Sequence, residues 1–487
     1  MGSGPRVARL FHALLALCSL GAWVSLGMQV HLLLGSRGLL PVAPLVASLR
    51  NVDPPVGIGF PSFLFLDPSD TALTLGVAAG VALSLLALLG VWPRLMLLLS
   101  APLYLSYIVA SREFLSFQWD NLLVECLVIA AFIPRDRFSR GSHWVARALL
   151  FKLYFESGVA KAQSALGDWW DGSAMSFYYE TAPIPAWPGW WAHQLPEAWH
   201  QIETFASLGL ELIGAFLILG PRRARLAAFV AFGAFQVLNL ATANYGFFVY
   251  LALSLHVFLL DDSDLEKLGR RIRWPRTAGV VLLAQGLRRL RPPVWARRYT
   301  AIASGVLAVA WVIASGVTAF AHFGPSGELS DRAARMVQTW RVYRVANAYH
   351  LFGHITRVRV EPEFQTRSGG RWRAHDLHYK PGDPLRAPPF VAPHQPRVDF
   401  RLWFYGLDFR RGVPRYVVNL LARMCRDPDA VADLFATPLP AQPDAVRIEY
   451  WRYHFTTPEE RQASLAWWRR ESLGSTPVVD CKSSRRD

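Results

Sequence analysis

Residues 111–126 read SREFLSFQWDNLLVEC and place Arg112, Glu113, Asp120 and Glu125 between the apolar runs YLSYIVA and LVIAAFI. Charge at bilayer depth is costly, so such groups are usually paired or functional. Asp120 reads as a cap in the headgroup region, and Trp119 as an interfacial anchor. Glu125 lies deeper and needs a partner. A second group follows in FKLYFESGVAKAQSALGDWWDG, where Lys152 and Glu156 are spaced to pair on one helix face. Lys161, near the outer end of that run, is the expected partner of Glu125. Gly158 and Ala160 would let another helix approach closely. The chemistry on offer is either a salt bridge that fixes packing or a functional polar cavity.

A third group is the stretch 168–200, with Trp169, Trp170, Trp187, Trp190, Trp191 and Trp199, together with Glu180, His193 and His200. The tryptophans suit an aromatic belt, or a surface that contacts lipid or an apolar segment of a client protein. The spacing of His193 and His200 is compatible with one helix face. No H-E-x-x-H accompanies them, and no metal site is expected. In a fourth place, Asn244 precedes Tyr245 and Gly246 at a tight outer turn that its amide can orient.

The elements that must position these groups read as membrane helices. The chain has 487 residues and is 52% hydrophobic, with a mean hydropathy of +0.21. A soluble protein of this length rarely averages apolar. Candidate spans are 10–34, 72–91, 94–110, 119–133, 145–161, 203–219, 225–243, 246–260 and 300–321. Several fall short of the roughly 20 residues that a straight span needs. The first run is too long for a cleaved signal and reads as a retained span. The stretch 278–287 is too short to cross and reads as interfacial.

Charge placement supports a count of nine spans. With the N-terminus cytoplasmic, the inner segments hold 20 Lys and Arg, and the outer loops hold only Arg37, Arg50, Arg112 and Lys161. The richest inner segment is the basic stretch 262–299. The net charge of +15 is therefore explained without nucleic acid. An odd number of spans puts residues 322–487 on the opposite, periplasmic or lumenal, side.

That region differs in kind from the body, residues 1–321. HITRVRVEPEF, RWRAHDLHYKPGD and DAVRIEYWRYHFTT alternate as strands do, while VPRYVVNLLARMC and DPDAVADLFAT look helical. PLRAPPFVAPHQPRVDF reads as a Pro-rich connector. The expectation is a polytopic α-helical membrane body with a C-terminal, mostly β domain. Cys425 and Cys481 fall in this domain, where a disulfide is conceivable, and no N-glycosylation sequon occurs anywhere. There is no nucleophile elbow, phosphate loop, dinucleotide fingerprint or dithiol pair. No catalytic residue and no cofactor is assigned.

Six stretches carry a family likeness: 111–126, 149–170, 178–200, 241–262, 378–404 and the WWRRE at 467–471. In their order and composition the sequence resembles the lipase maturation factor family. The membrane body is distantly similar to vitamin K-dependent carboxylase-type proteins. The first resemblance implies a membrane factor that helps exported proteins, notably lipases, reach an active state. Its animal members reside in the endoplasmic reticulum with a lumenal C-terminal domain. The Arg- and Ala-rich composition looks bacterial, which would place the chain in an inner membrane. The partners then expected are an exported client and membrane lipid, and not nucleic acid. The second resemblance sustains an alternative, an intramembrane enzyme or redox protein acting on lipid or quinone. That alternative requires Glu125, Glu156, Lys161, His193 and His200 to gather in an outward-opening cavity. A transporter is a third reading, without a visible inverted repeat.

Overall fold

In the computed structural model, residues 5–49, 59–271 and 294–484 are described. The segment 278–287 and most of the basic stretch 262–299 lie outside them. Helix α1 (Pro5–Gly27) opens on proline and buries Phe11, Leu15 and Trp23. Its neighbour α2 (Asp70–Leu88) is capped by the Ser69 hydroxyl, which accepts from the Ala72 amide. The two pack at Gly80, where a Cβ would come within 2.2 Å of the Trp23 ring. Next come α3 (Pro93–Ser111), α4 (Gln118–Phe132) and α5 (Arg140–Ala162).

The aromatic stretch folds into short helices α6 (Ala174–Thr181) and α7 (Trp187–His193). It leads into α8 (Glu197–Leu212), prolonged by a 3-10 turn at Gly214–Leu219. Helices α9 (Arg222–Thr242), α10 (Phe248–His256) and α11 (Asp262–Arg271) follow. The long α12 (Val294–Phe323) turns at Gly324–Pro325 into α13 (Glu328–Trp340).

Among the described residues, six helices are long and apolar enough to cross a membrane. They are α1, α2, α3, α8 with its 3-10 extension, α9 and the Gly305–Phe323 part of α12. The chain is an integral membrane protein, and six of the nine expected spans are helices of that length and apolarity. The expected spans 119–133 and 246–260 are α4, of 15 residues, and α10 with a short 3-10 turn. The span at 145–161 lies within α5, which carries Lys152, Glu156 and Lys161. The reason is burial. Helix α4 is buried on almost every side, so it sits among other helices and need not match the lipid in length or polarity.

The C-terminal domain is mixed rather than mostly β. Strands β1 (Arg359–Ser368), β2 (Arg371–His375), β3 (Ala445–Phe455) and β4 (Trp468–Ser475) form an antiparallel sheet in the order β2-β1-β3-β4. A short β5 (Val479–Asp480) also pairs with β3. Helices α14 (Arg397–Leu407) and α15 (Arg415–Arg426) pack against it. At Gly406 a Cβ would sit 2.1 Å from the Val360 carbonyl, so only glycine brings α14 onto β1 this closely. The end of the expected connector, RVDF, is already the first turn of α14. Cys425 on α15 is disulfide-bonded to Cys481 just past β5.

Candidate functional site

The Glu125 carboxylate is wholly buried and fully engaged. It accepts from Asn347 Nδ2 at 2.7 Å and Tyr349 OH at 2.7 Å, and from Trp311 Nε1 of α12 at 2.8 Å. Its counter-ion is Lys152 on α5, at 3.4 Å, not Lys161. Lys152 Nζ also donates to Ser315 Oγ, and it lies over the Trp311 and Tyr349 rings. The Lys152–Glu156 pair expected along the helix is therefore replaced by a cross-helix pair. Glu156 instead accepts the backbone N–H of Tyr349 at 2.8 Å. Residues 347–349, which lead into the C-terminal domain, thus reach down between α4 and α5.

Lys161 is paired with Glu211 of α8 at 2.5 Å and also donates to the Leu351 carbonyl. The correction to its partner follows from helix geometry. Gly158 lies against the backbone of Glu211 and Leu212, 3.0 Å from where its Cβ would be. This draws α8 onto α5 one turn before Lys161. Trp169 lies under the Lys161 ammonium at 5.0 Å.

Asp120 is no headgroup cap. It is fully buried and held in a fork by Arg397 of α14, at 2.6 and 2.8 Å, with Tyr104 OH at 2.7 Å. Such planar, bidentate geometry is what guanidinium offers and ammonium does not. Trp119 is likewise internal: it stacks on Phe117 and meets Phe400 edge-on, so it anchors α14 rather than the lipid interface. Arg112 is exposed and ends α3 with φ at 50°. Glu113 pairs with Arg401 at 3.5 Å.

The outer stretch is bound to the sheet in the same way. Glu180 accepts from the Phe455 amide at 2.7 Å and His454 Nδ1 at 3.0 Å. Burial pushes its carboxyl up, but the His454 and Phe455 hydrogen bonds outweigh burial and hold it below the ordinary range. His193 is 3.7 Å from Glu180, and His200 pairs with Glu203 at 3.2 Å. The imidazoles lie 6.5 Å apart, and the described residues contain no cluster fit for a metal ion. Arg359 donates to the carbonyls of Glu180, Ala182 and Pro183, and Glu361 joins it to Lys380. Asn244 does more than orient its own turn. It donates to the Pro389 carbonyl and accepts from the Val391 and Ala392 amides, clasping the Pro-rich connector.

Of the six tryptophans, Trp169 and Trp190 are buried, and Trp190 donates to Thr456 of the outer domain. Trp170, Trp187, Trp191 and Trp199 remain exposed. Between the outer end of the helical body and α14 lies an open cavity of about 1320 Å³. Phe117, Trp119, Phe352, Phe400, Trp403 and Phe404 contribute aromatic surface to it. Glu125, Glu156, Lys161, His193 and His200 are all absent from its wall, so they do not gather there.

The sequence reading missed Asn347, Tyr349, Trp311 and Arg397. Nothing in VANAYH marks it as a plug for the bundle. Glu211, a lone carboxylate in the apolar run SLGLELIGAF, was a legible signal that Lys161 had a nearer partner.

Comparison with known proteins agrees with this two-part build. Residues 6–267 match the lipase maturation factor transmembrane domain, and residues 345–477 match the lipase maturation factor C-terminal domain. Lipase maturation factor 2 of Gallus gallus is 29% identical over 97% of this chain and 81% of its own length. The Homo sapiens protein of that name is 29% identical over 96% and 82%. Lipase maturation factor 1 of Bos taurus is 28% identical over 91% and 83%. These relatives are vertebrate and lend no support to a bacterial source. No solved structure matches. With both modules present in order, and with the signature stretch 111–126 serving as the seam between them, the chain belongs to the lipase maturation factor family.

Proposed function

We propose that this protein is a membrane-embedded maturation factor that assists the folding or assembly of exported proteins, lipases foremost. The relatives' names supply the client class. The observation that carries the mode of action is the aromatic-walled cavity at the outer end of the bundle. Small-molecule sites usually occupy about 300–1,000 Å³, so a cavity of about 1320 Å³ open to one side suits a segment of polypeptide better. The carboxylates that an intramembrane enzyme or transporter would use are committed to internal bonds. That favours a scaffold over the enzyme reading.

The proposed topology keeps the N-terminus cytoplasmic and the C-terminal domain lumenal or periplasmic. Two features support it: the concentration of Lys and Arg on the opposite side, and the Cys425–Cys481 disulfide, which suits an oxidising compartment. In this topology the interior helices α4, α5 and α10 also cross, wrapped by the six long ones, and the resulting nine passes put the two ends on opposite sides.

The test is a photo-crosslinking residue in place of Phe404, an exposed aromatic on the cavity wall, in intact cells. Capture of an exported lipase, together with loss of active secreted lipase on deletion of the gene, is the expected result. Unchanged lipase secretion, with no exported protein in the crosslinked set, would overturn the proposal.

A further inference from the structure

The cavity has a second wall with different chemistry. Thr318 and His322, at the outer end of α12, line it beside Arg341 and Arg344 in the turn after α13. Over Gly305–Phe323, α12 exposes apolar side chains, Val306, Val309 and Ile313 among them, as a lipid-facing span does. Trp340 donates to Thr318 at 3.3 Å, which fixes the turn against that lipid-facing helix. The arginine corner therefore adjoins the outer leaflet.

The charges here do not balance. Two carboxylates line the cavity, Glu113 and Asp408, and each already faces an arginine, Arg401 and Arg411 respectively. Neither Arg341 nor Arg344 has a carboxylate partner among the described residues. Arg344 is half-buried, and its Nε is shut from water without a hydrogen-bond partner. Burial, then the neighbouring Arg341, lowers its pKa. Its backbone is held at φ 54°, in the left-handed region that branched or bulky residues rarely adopt. The histidines lining the cavity, His322 and His350, stacked at 4.7 Å, and His354, supply no negative charge, and its tyrosines are neutral at physiological pH. A buried cation without a counter-charge is costly unless an anion completes it.

We infer that the Arg341–Arg344 turn is a binding site for a phosphate group, presented by the headgroup of an anionic phospholipid whose acyl chains run along α12. Guanidinium forks suit phosphate oxygens, and the adjoining lipid-facing helix supplies the apolar surface for the chains. The site is separate from the aromatic wall proposed to meet client protein.

The experiment uses the full-length protein, delipidated in uncharged detergent. It is titrated in parallel with short-chain phosphatidylglycerol, inorganic phosphate and diacylglycerol, with binding followed by native mass spectrometry. Saturable phosphatidylglycerol binding is expected, about tenfold weaker in Arg341→Gln/Arg344→Gln, as for loss of charge-assisted bonds. Arg371→Gln, an exposed charge on β2 away from the cavity, should leave it unchanged. Arg341 is exposed, so the single Arg341→Gln variant keeps its fold and should show part of the loss even if the double variant does not express. Inorganic phosphate binding as tightly, with the same dependence on the arginines, would retain the phosphate site and overturn the lipid source. Diacylglycerol binding equal to that of phosphatidylglycerol, or arginine variants with unaltered affinity, would overturn the inference.

Discussion

At the scale of residues, the ionisable groups that look misplaced in an apolar chain are fasteners. Glu125 is held by three neutral donors and one cation. Replacing Glu125 with Ala leaves the buried Lys152 ammonium with Ser315 and the Trp311 and Tyr349 rings but without its paired carboxylate. Breaking a buried pair from one side typically costs about 3–5 kcal/mol. Glu125→Ala should therefore lower the unfolding midpoint in detergent strongly, and Glu125→Ala/Lys152→Met should recover much of the loss. The check is a double-mutant cycle on thermal unfolding. Arg397→Lys keeps the charge but loses the fork on Asp120. It should cost roughly as much as Arg397→Met, within about 1 kcal/mol, because ammonium cannot replace the planar geometry. The Asp399 carboxyl, buried at the start of α14, is pushed up to about 6 by burial. The folded state thus holds that proton more tightly than the unfolded chain. The associated stability is present below about pH 4 and is lost as pH rises through about 6, by an amount of order 3 kcal/mol. Asp399→Asn should flatten that part of the stability–pH curve, measured by denaturation of the full-length protein between pH 4 and 7.

At the scale of elements, the long apolar helices and strands β1, β2 and β3 could be read from hydropathy and alternation, whereas β4 was not. The interior could not. Helices α4 and α10 are as apolar as the six long helices but shorter, and periodicity alone does not separate a buried helix from a lipid-facing one. Partners were harder still. Lys152 and Glu156 are four apart, and local spacing argued for a pair, but tertiary contact turned each toward a different element. The small residues were legible: Gly158 in ESGVAK does admit a neighbouring helix, and that neighbour is α8. Gly158→Leu should wedge α8 away from α5 and strain the Lys161–Glu211 pair. The expected cost is about 1–3 kcal/mol, typical of overpacking, read as a lower thermal midpoint and faster proteolysis near residues 205–215. An unchanged midpoint would mean that α8 adjusts without the close approach.

At the scale of the whole molecule, the membrane body and the C-terminal domain share one polar seam. Asn347 and Tyr349 fill the Glu125 site, Arg397 fills the Asp120 site, Arg359 and His454 hold the 180–183 turn, and the connector is clasped by Asn244. Removing residues 322–487 would strip partners from four buried carboxylates at once, Asp120, Glu125, Glu156 and Glu180, so deletion of the domain is expected to unfold the body rather than isolate it. Client capture is therefore better compared between point variants of the cavity wall than between full and truncated chains. Through that seam the two modules of this maturation factor are expected to behave as one cooperative body. Hydrogen exchange on the full-length protein and its Arg397→Ala variant tests it most directly. Amides in α4 and in residues 345–351 are expected to lose protection together with those of α14. Loss of protection confined to α14, with the membrane body unchanged, would contradict it.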